Sequence, residues 1–507
     1  MKVNNIRVGL IISYIALAVN SIIHILYTPI MLRLLGQNEY GLYSLSTSIV
    51  GYLNVLGFGF VNAYLRYYYK YKVENNEEKI ADLNGVYLIV FTIIGVISFV
   101  VGLIITLNVD SFFGESLTTG ELEKAKILVF VLVINISLSF PLGIFSYYLT
   151  ANEKFIFLKS LNLAQTVLLP VLMIIVLFFG FKSVGMTVVT LVVTLTMNLL
   201  QLYYCFNRCG YKITFSIKNL RMFKEIFIFS SYVFLNIVAE QLNWQADKLI
   251  LARYLGTAQV AVYGIGSQIH TIFLSIASNI TTVVKPKVNN LVLSGNKREL
   301  DDLFLRIGRI QFIVLVLILT GFFFFGKQFI FFWAGKEYAD SYAIALLLLF
   351  PLTLAQMLIL STEVQRAKNL HKFRSIVLFS IAIVNVVISI PLCKLYGGIG
   401  CAAGTAASVL IGSVGVMSFY NQKVVGLKIT GLFKSVGSLL PALIAPLIAG
   451  IAINRFINTQ TIVNFILFGI IYVGIYFVSM WIFGFNQYEK DLIIKPVNRL
   501  VKRRFLK

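Results

Sequence analysis

The stretch Asn236-Ile-Val-Ala-Glu-Gln-Leu-Asn-Trp-Gln-Ala-Asp-Lys248 decides how this chain is read. It follows the almost wholly apolar run 226–238 and continues through Leu249-Ile-Leu-Ala-Arg-Tyr-Leu-Gly256 with no proline or earlier glycine to break a helix. One long membrane-crossing helix is the expectation, because about 20 mostly apolar helical residues span a hydrocarbon core. Asn236, Glu240, Asn243 and Asp247 recur at helical spacing, so amides and carboxylates share one face. Ionisable groups at membrane depth are costly and turn towards a bundle interior or a watery cavity. Such a stripe serves either as glue between helices or as the lining of a substrate path. Similar stripes elsewhere in the chain favour the path.

Composition agrees with a polytopic membrane protein: of 507 residues, 58% are hydrophobic and 13% charged. The apolar runs are too long and too many for a soluble globule. The first, 8–32, exceeds a signal-peptide core and lacks a small-residue cleavage site, so it is expected to be the first span. A net charge of +22 would suggest nucleic acid in a soluble protein. Here the basic residues lie between apolar runs, so topology and anionic lipid headgroups explain them and no nucleic-acid partner is expected. Cys205, Cys209, Cys393 and Cys401 form no metal or redox signature, and Cys205 and Cys209 read as packing residues at a helix end.

Fourteen apolar segments reach spanning length, near 8–32, 41–65, 84–107, 126–150, 160–180, 183–205, 226–252, 258–283, 310–332, 341–362, 375–393, 398–419, 432–454 and 462–484. The N-terminus, the loops after even-numbered spans and the tail hold 33 of the 43 Lys and Arg, against nine in the loops after odd-numbered spans. Positive charge is retained on the cytoplasmic side, which places both termini there. No loop is long enough to form a domain. The tail Asn498-Arg-Leu-Val-Lys-Arg-Arg-Phe-Leu-Lys507 reads as a basic topology anchor on the inner membrane face.

The chain also repeats. Arg33-Leu-Leu-Gly36-Gln-Asn-Glu-Tyr-Gly-Leu-Tyr43 lines up with Arg253-Tyr-Leu-Gly256-Thr-Ala-Gln-Val-Ala-Val-Tyr263, an offset of 220. Lys182-Ser-Val-Gly185 opens span six as Gly397-Gly-Ile-Gly400 opens span twelve, and Pro141 and Pro351 occupy corresponding places in spans four and ten. Six spans separate the copies, so they share one orientation. An all-α architecture follows: two parallel-related six-helix lobes, 1–210 and 211–425, around a central cavity, with 426–507 appended as spans 13–14 and the basic tail.

The repeat lets the polar stripes be compared. Span two carries Ser44, Ser48, Gly51, Val55, Gly59, Asn62 and Arg66; span eight carries Gly264, Gln268, Thr271, Ser275, Asn279 and Thr282, with Lys285 and Lys287 at its basic end. Span one adds Ser13, Asn20, His24 and Thr28. Spans 1, 2, 7 and 8 would therefore surround the cavity. From a helical rise of 1.5 Å per residue, Glu240 lies about 22 Å from the cytoplasmic entry of span seven and Asp247 about 33 Å. The expected substrate-binding residues are Asn20, Asn62, Arg66, Asn236, Asn243, Gln268, Thr271 and Lys285, with Arg66 and Lys285 at an inner mouth suited to a pyrophosphate. His24, Glu240 and Asp247 are the expected ion-coupling groups, since burial moves a carboxyl pKa towards neutrality. The chain lacks a Walker-type loop, His-Glu-x-x-His and Gly-x-Ser-x-Gly, so no catalytic residue, metal or cofactor is expected, and an ion gradient of H⁺ or Na⁺, or substrate flux itself, would drive transport.

Arg33-Leu-Leu-Gly36 with Glu39-Tyr-Gly-Leu-Tyr43, Gly57-Phe-Gly-Phe-Val-Asn-Ala-Tyr-Leu-Arg66, Asp247-Lys-Leu-Ile-Leu-Ala-Arg-Tyr-Leu-Gly256 and Tyr396-Gly-Gly-Ile-Gly400 carry a resemblance. The chain resembles the O-antigen-type lipid-linked oligosaccharide flippases of the multidrug/oligosaccharidyl-lipid/polysaccharide exporter superfamily. The resemblance implies an alternating-access transporter, not an enzyme, in a bacterial inner membrane. It would move an undecaprenyl-pyrophosphate-linked glycan for lipopolysaccharide or capsule from inner to outer leaflet, with lipids and a glycan polymerase or other export machinery as partners. Arg66 matches the family's basic position after the Gly-x-Gly turn, and Asp247 its span-seven acid. The chain also resembles lipid II flippases but lacks their arginine-rich first span. It resembles drug exporters of the same superfamily but lacks an acidic residue in span one.

Overall fold

Where the sequence carries long apolar runs, the backbone has no water to bond and satisfies itself as helix. The computed structural model describes residues 23, 25–57, 60–214, 220–457 and 459–495, and among these it is helical without a strand. The order is α1 (Ile25–Leu35), α2 (Gln37–Leu53), α3 (Phe60–Val73), α4 (Glu77–Leu107), α5 (Val109–Phe113), α6 (Thr119–Ala151), α7 (Phe155–Phe178) and α8 (Lys182–Arg208). Then come α9 (Leu220–Leu255), α10 (Thr257–Leu293), α11 (Lys297–Trp333), α12 (Ser341–Met357), α13 (Leu360–Ala367), α14 (His371–Val409), α15 (Ile429–Gly437), α16 (Leu440–Phe456) and α17 (Ile462–Ser479).

Apart from the turns at 179–180, 358–359 and 438–439, each of the fourteen expected spans falls on helix wherever it is described. Among the described residues, eight helices are long and apolar enough to cross a membrane by themselves, or up to ten when the bent pairs α12/α13 (47°) and α15/α16 (44°) each count as one span. Span two is α2 and α3, broken by the tighter turn Asn54–Gly57. Spans eleven and twelve both lie within α14 and its continuation to Val425, divided at Gly397.

The internal repeat survives in the backbone. Gly36 and Gly256 end their Arg-x-Leu-Gly segments at φ +79° and +81°, a conformation that costs a residue with a Cβ about 1–2 kcal/mol. Lys182 and Gly397 open spans six and twelve at φ +47° and +60°. A Cβ at Gly185 would stand 2.2 Å from Val176, and one at Gly400 2.0 Å from the Leu392 carbonyl oxygen. In both copies the small residue lets the new helix leave tightly against the preceding one.

The chain divides into two compact units: residues 1–264 with 382–401, and 265–381 with 402–507. In unit 1, α6 is the spine on which α2, α4 and α8 pack. Thr118 and Glu121 cap its start reciprocally. At its basic end lies an aromatic core of Phe60, Tyr64, Tyr68, Tyr87, Phe91, Tyr148 and Tyr211. At the opposite end Glu39 on α2 accepts from Lys124 on α6 and from Ser183 on α8, and Glu121 accepts from Thr257 at 2.7 Å.

In unit 2, α11 is central, packed by α12, α15, α16 and α17 around Phe304, Leu360, Leu432, Tyr476 and Met480. Arg309, 6% exposed, ties this core to the chain after α17. Its Nε and Nη2 donate to both carboxylate oxygens of Glu489 (2.7 and 3.1 Å), and Nη2 also to the Gly484 carbonyl (2.9 Å).

Candidate functional site

The polar stripe of α9 is held by its neighbours in unit 1. Asn243 Oδ1 accepts from Asn385 Nδ2 (3.3 Å), and Asn385 Oδ1 accepts from the Ser389 hydroxyl (3.3 Å). One turn further along α9, Asp247 is 1% exposed and its Oδ2 accepts from the Tyr263 hydroxyl at 2.5 Å. These bonds link α9, the start of α10 and the end of span eleven.

The stripes of α2 and α10 divide into a closed and an open part. At the sparsely charged end, repeat partners touch: a Cβ on Gly264 would lie 3.1 Å from Ser44 Oγ, and one on Gly41 1.9 Å from the Thr257 carbonyl oxygen. Ser44 and Ser48 are buried there, and the Ser48 hydroxyl is turned back onto the Ser44 carbonyl (2.8 Å). This portion of the stripe serves close helix packing. Within unit 2, the remainder of the α10 stripe is open: Thr271, Ser275, Ser278 and Thr282 are exposed, each donating to a carbonyl of its own helix. Their oxygens keep lone pairs for an incoming hydroxyl. Gln268 is half-buried on the same helix, and Glu240 is exposed on α9.

The expected cationic residues differ in surroundings. Arg66 is exposed on α3. Lys285 bonds Glu363 on α13 at 3.1 Å, and Glu363, 8% exposed, also takes Arg366 at 2.9 Å. Asn20 and His24 lie outside the described residues, as do the side chains of Asn62 and Asn236. Asn385, Ser389, Tyr263 and Glu363 are partners that the sequence reading did not single out. Asn385 and Ser389 were visible as an i, i+4 polar pair inside an apolar span, a spacing that marks one helical face.

The arrangement of multi-pass helices is shared with solved membrane proteins. The fold is similar to lipid II flippase MurJ in an inward closed conformation (TM-score 0.74, 18% identity, 96% of this chain and 99% of that one). It is also similar to an inward-facing MATE-family multidrug resistance transporter of the MOP superfamily (TM-score 0.61, 16% identity, 82% and 94%). A MOP superfamily transporter from Pyrococcus furiosus is a third match (TM-score 0.51, 15% identity, 85% and 94%). The model of the family described as polysaccharide biosynthesis protein matches residues 7–291, more than half of the sequence, and the chain belongs to that family. No curated protein matches it at the sequence level.

Proposed function

We propose that this protein flips a lipid-linked glycan, an oligosaccharide or polysaccharide repeat unit on undecaprenyl pyrophosphate, from the inner to the outer leaflet of a bacterial cytoplasmic membrane. It does so by alternating access and not as an enzyme. The observation that carries the reading is the open hydroxyl stripe Thr271–Ser275–Ser278–Thr282 on a membrane helix. Their donors are satisfied within the helix, and the remaining lone pairs can accept from sugar hydroxyls or water, which lipid tails cannot supply. Membership of a polysaccharide biosynthesis family and the flippase fold support it.

In this proposal Arg66 and Lys285 receive the pyrophosphate, which competes with Glu363 for Lys285. Asn20, Asn62, Asn236, Asn243, Gln268 and Thr271 receive sugar hydroxyls, and the polyprenyl tail remains in lipid. His24, Glu240 and Asp247 couple the cycle to H⁺ or Na⁺, with both termini cytoplasmic. The glycan serves a surface polymer such as O-antigen or capsule, so a glycan polymerase is the natural partner after the flip.

The test is glycan delivery in a strain deleted for its own flippase, supplied with wild type, Glu240→Gln or Arg66→Ala. Modification of the lipid-linked glycan on the far side is measured. Rescue by wild type and loss in both variants is expected. Full rescue by both variants would remove the site assignment, and failure of wild type with several glycans would remove the substrate.

A further inference from the structure

We propose that unit 1 carries a second ligand site, apart from the transport stripes, for a phosphorylated sugar or polyol at its basic end. The ends of α3, α4, α6 and α8 enclose a cavity of about 550 Å³ there, lined by Tyr68, Lys72, Asn84, Tyr148, Asn152 and Lys212 among others. That volume lies within the range of small-molecule sites, about 300–1,000 Å³.

Its floor is built and rigid. Asn84, 1% exposed, accepts from the Tyr64 hydroxyl (2.7 Å) and donates to the Lys212 carbonyl (2.9 Å). Tyr68 donates to Asn152 Oδ1 (2.9 Å), Asn152 Nδ2 to the Tyr148 carbonyl (3.0 Å), and Tyr148 to the Cys209 carbonyl (3.1 Å). Tyr148 is further fixed edge-on against Tyr211, centroids 4.7 Å apart. Amides and phenols oriented before a ligand arrives lower the cost of ordering them on binding. Phenol and amide groups beside aromatic rings suit a polyhydroxylated ring, whose hydroxyls and C–H faces both find partners.

The rim supplies charge. The Lys72 ammonium stands 5.5 Å from the Tyr68 ring centroid, and Lys212 meets Glu77 at 3.0 Å in an exposed pair. An exposed pair holds its lysine weakly, so a phosphoryl group can take Lys212 from Glu77 while also reaching Lys72.

Cys209, Gly210 and Lys212, just after α8, complete the lining. Thr214 N–H donates to the Ala81 carbonyl (3.2 Å), and its own carbonyl passes so close to Gly85 that a Cβ there would sit 2.0 Å away.

Cys209 provides the reporter. It lines the cavity and is partly exposed, whereas Cys205, Cys393 and Cys401 are buried. Its rate of maleimide labelling is measured on the full-length protein in detergent with glucose 1-phosphate, with glucose, or with neither. The same rate is measured in phosphatidylcholine nanodiscs with and without phosphatidylglycerol. Protection by glucose 1-phosphate in detergent assigns a soluble ligand; protection confined to phosphatidylglycerol discs assigns a lipid headgroup, and either supports the site. The Lys72→Gln/Lys212→Gln variant changes only exposed groups. It should label at the wild-type rate without ligand and need about tenfold more ligand per lost lysine for the same protection. Labelling unchanged by every probe, protection that persists undiminished in the double variant, or equal protection by glucose would overturn the proposal.

Discussion

Replacing Arg309 by methionine tests whether the C-terminal helices are held by charge geometry or by apolar packing alone. Arg309 directs its Nε–H and an Nη2–H at Glu489, and its Nη1 also reaches the Ser435 carbonyl (2.5 Å) and the Ser438 hydroxyl (3.1 Å). Methionine keeps the aliphatic volume and leaves Glu489, 5% exposed, without its cation. Stranding one member of a buried pair costs about 3–5 kcal/mol. Glu489 keeps a bond from the Asn486 backbone N–H (2.9 Å), which favours the lower part of that range. With an unfolding entropy of about 2.1 cal/mol/K per residue, a chain of 507 residues loses about 1 °C per kcal/mol, so Tm should fall by about 3–4 °C. Thermal unfolding of the detergent-purified protein, followed by intrinsic fluorescence, measures it. The double variant Arg309→Met/Glu489→Leu should recover more than half of the loss, because two apolar side chains no longer bury a charge. A single variant within 1 °C of wild type, or a double variant no better than the single, refutes this account.

Two further expectations concern the opposite end of unit 1. Burial acts to raise the Glu39 carboxyl pKa, but hydrogen bonds from Lys124 and Ser183, with the Lys124 and Lys182 charges, outweigh it and hold the group below its usual 4.5. A depressed folded-state pKa contributes stability that is complete above the unfolded value and is lost as pH falls through the folded value. Wild type should therefore lose Tm progressively below about pH 4.5, and Glu39→Gln should show a lower Tm at neutral pH with a flatter acid limb; parallel profiles for the two proteins would exclude the linkage. Gly41→Ala places a methyl 1.9 Å from the Thr257 carbonyl oxygen, and overpacking of about 1–3 kcal/mol should lower Tm by about 1–3 °C. Gly120→Ala, with open space around the new methyl, is the control and should leave Tm unchanged or slightly raised.

Local rules in the sequence sufficed for the spans, the repeat and the turns that begin its copies. Apolar length dictates a membrane helix whatever surrounds it, and only a small set of residues sits at ease where the backbone turns left-handed, as at Gly36 and Gly256. The polar stripes were equally legible, because helical spacing alone puts Asn243 and Asp247 on one face of α9. Which part of a stripe stays open was not. Ser44 and Thr271 look alike in sequence, yet one is buried in a contact with its repeat partner's helix and the other is exposed. The partners of the charged groups were also beyond reach. Asn243 and Asn385 are 142 positions apart and Arg309 and Glu489 are 180 apart, and Lys285, read as an open cation, meets Glu363 from a helix bent 47° away from its predecessor. Pairings at such separations are set by how helices pack against one another, a property of the assembled bundle that no single segment encodes.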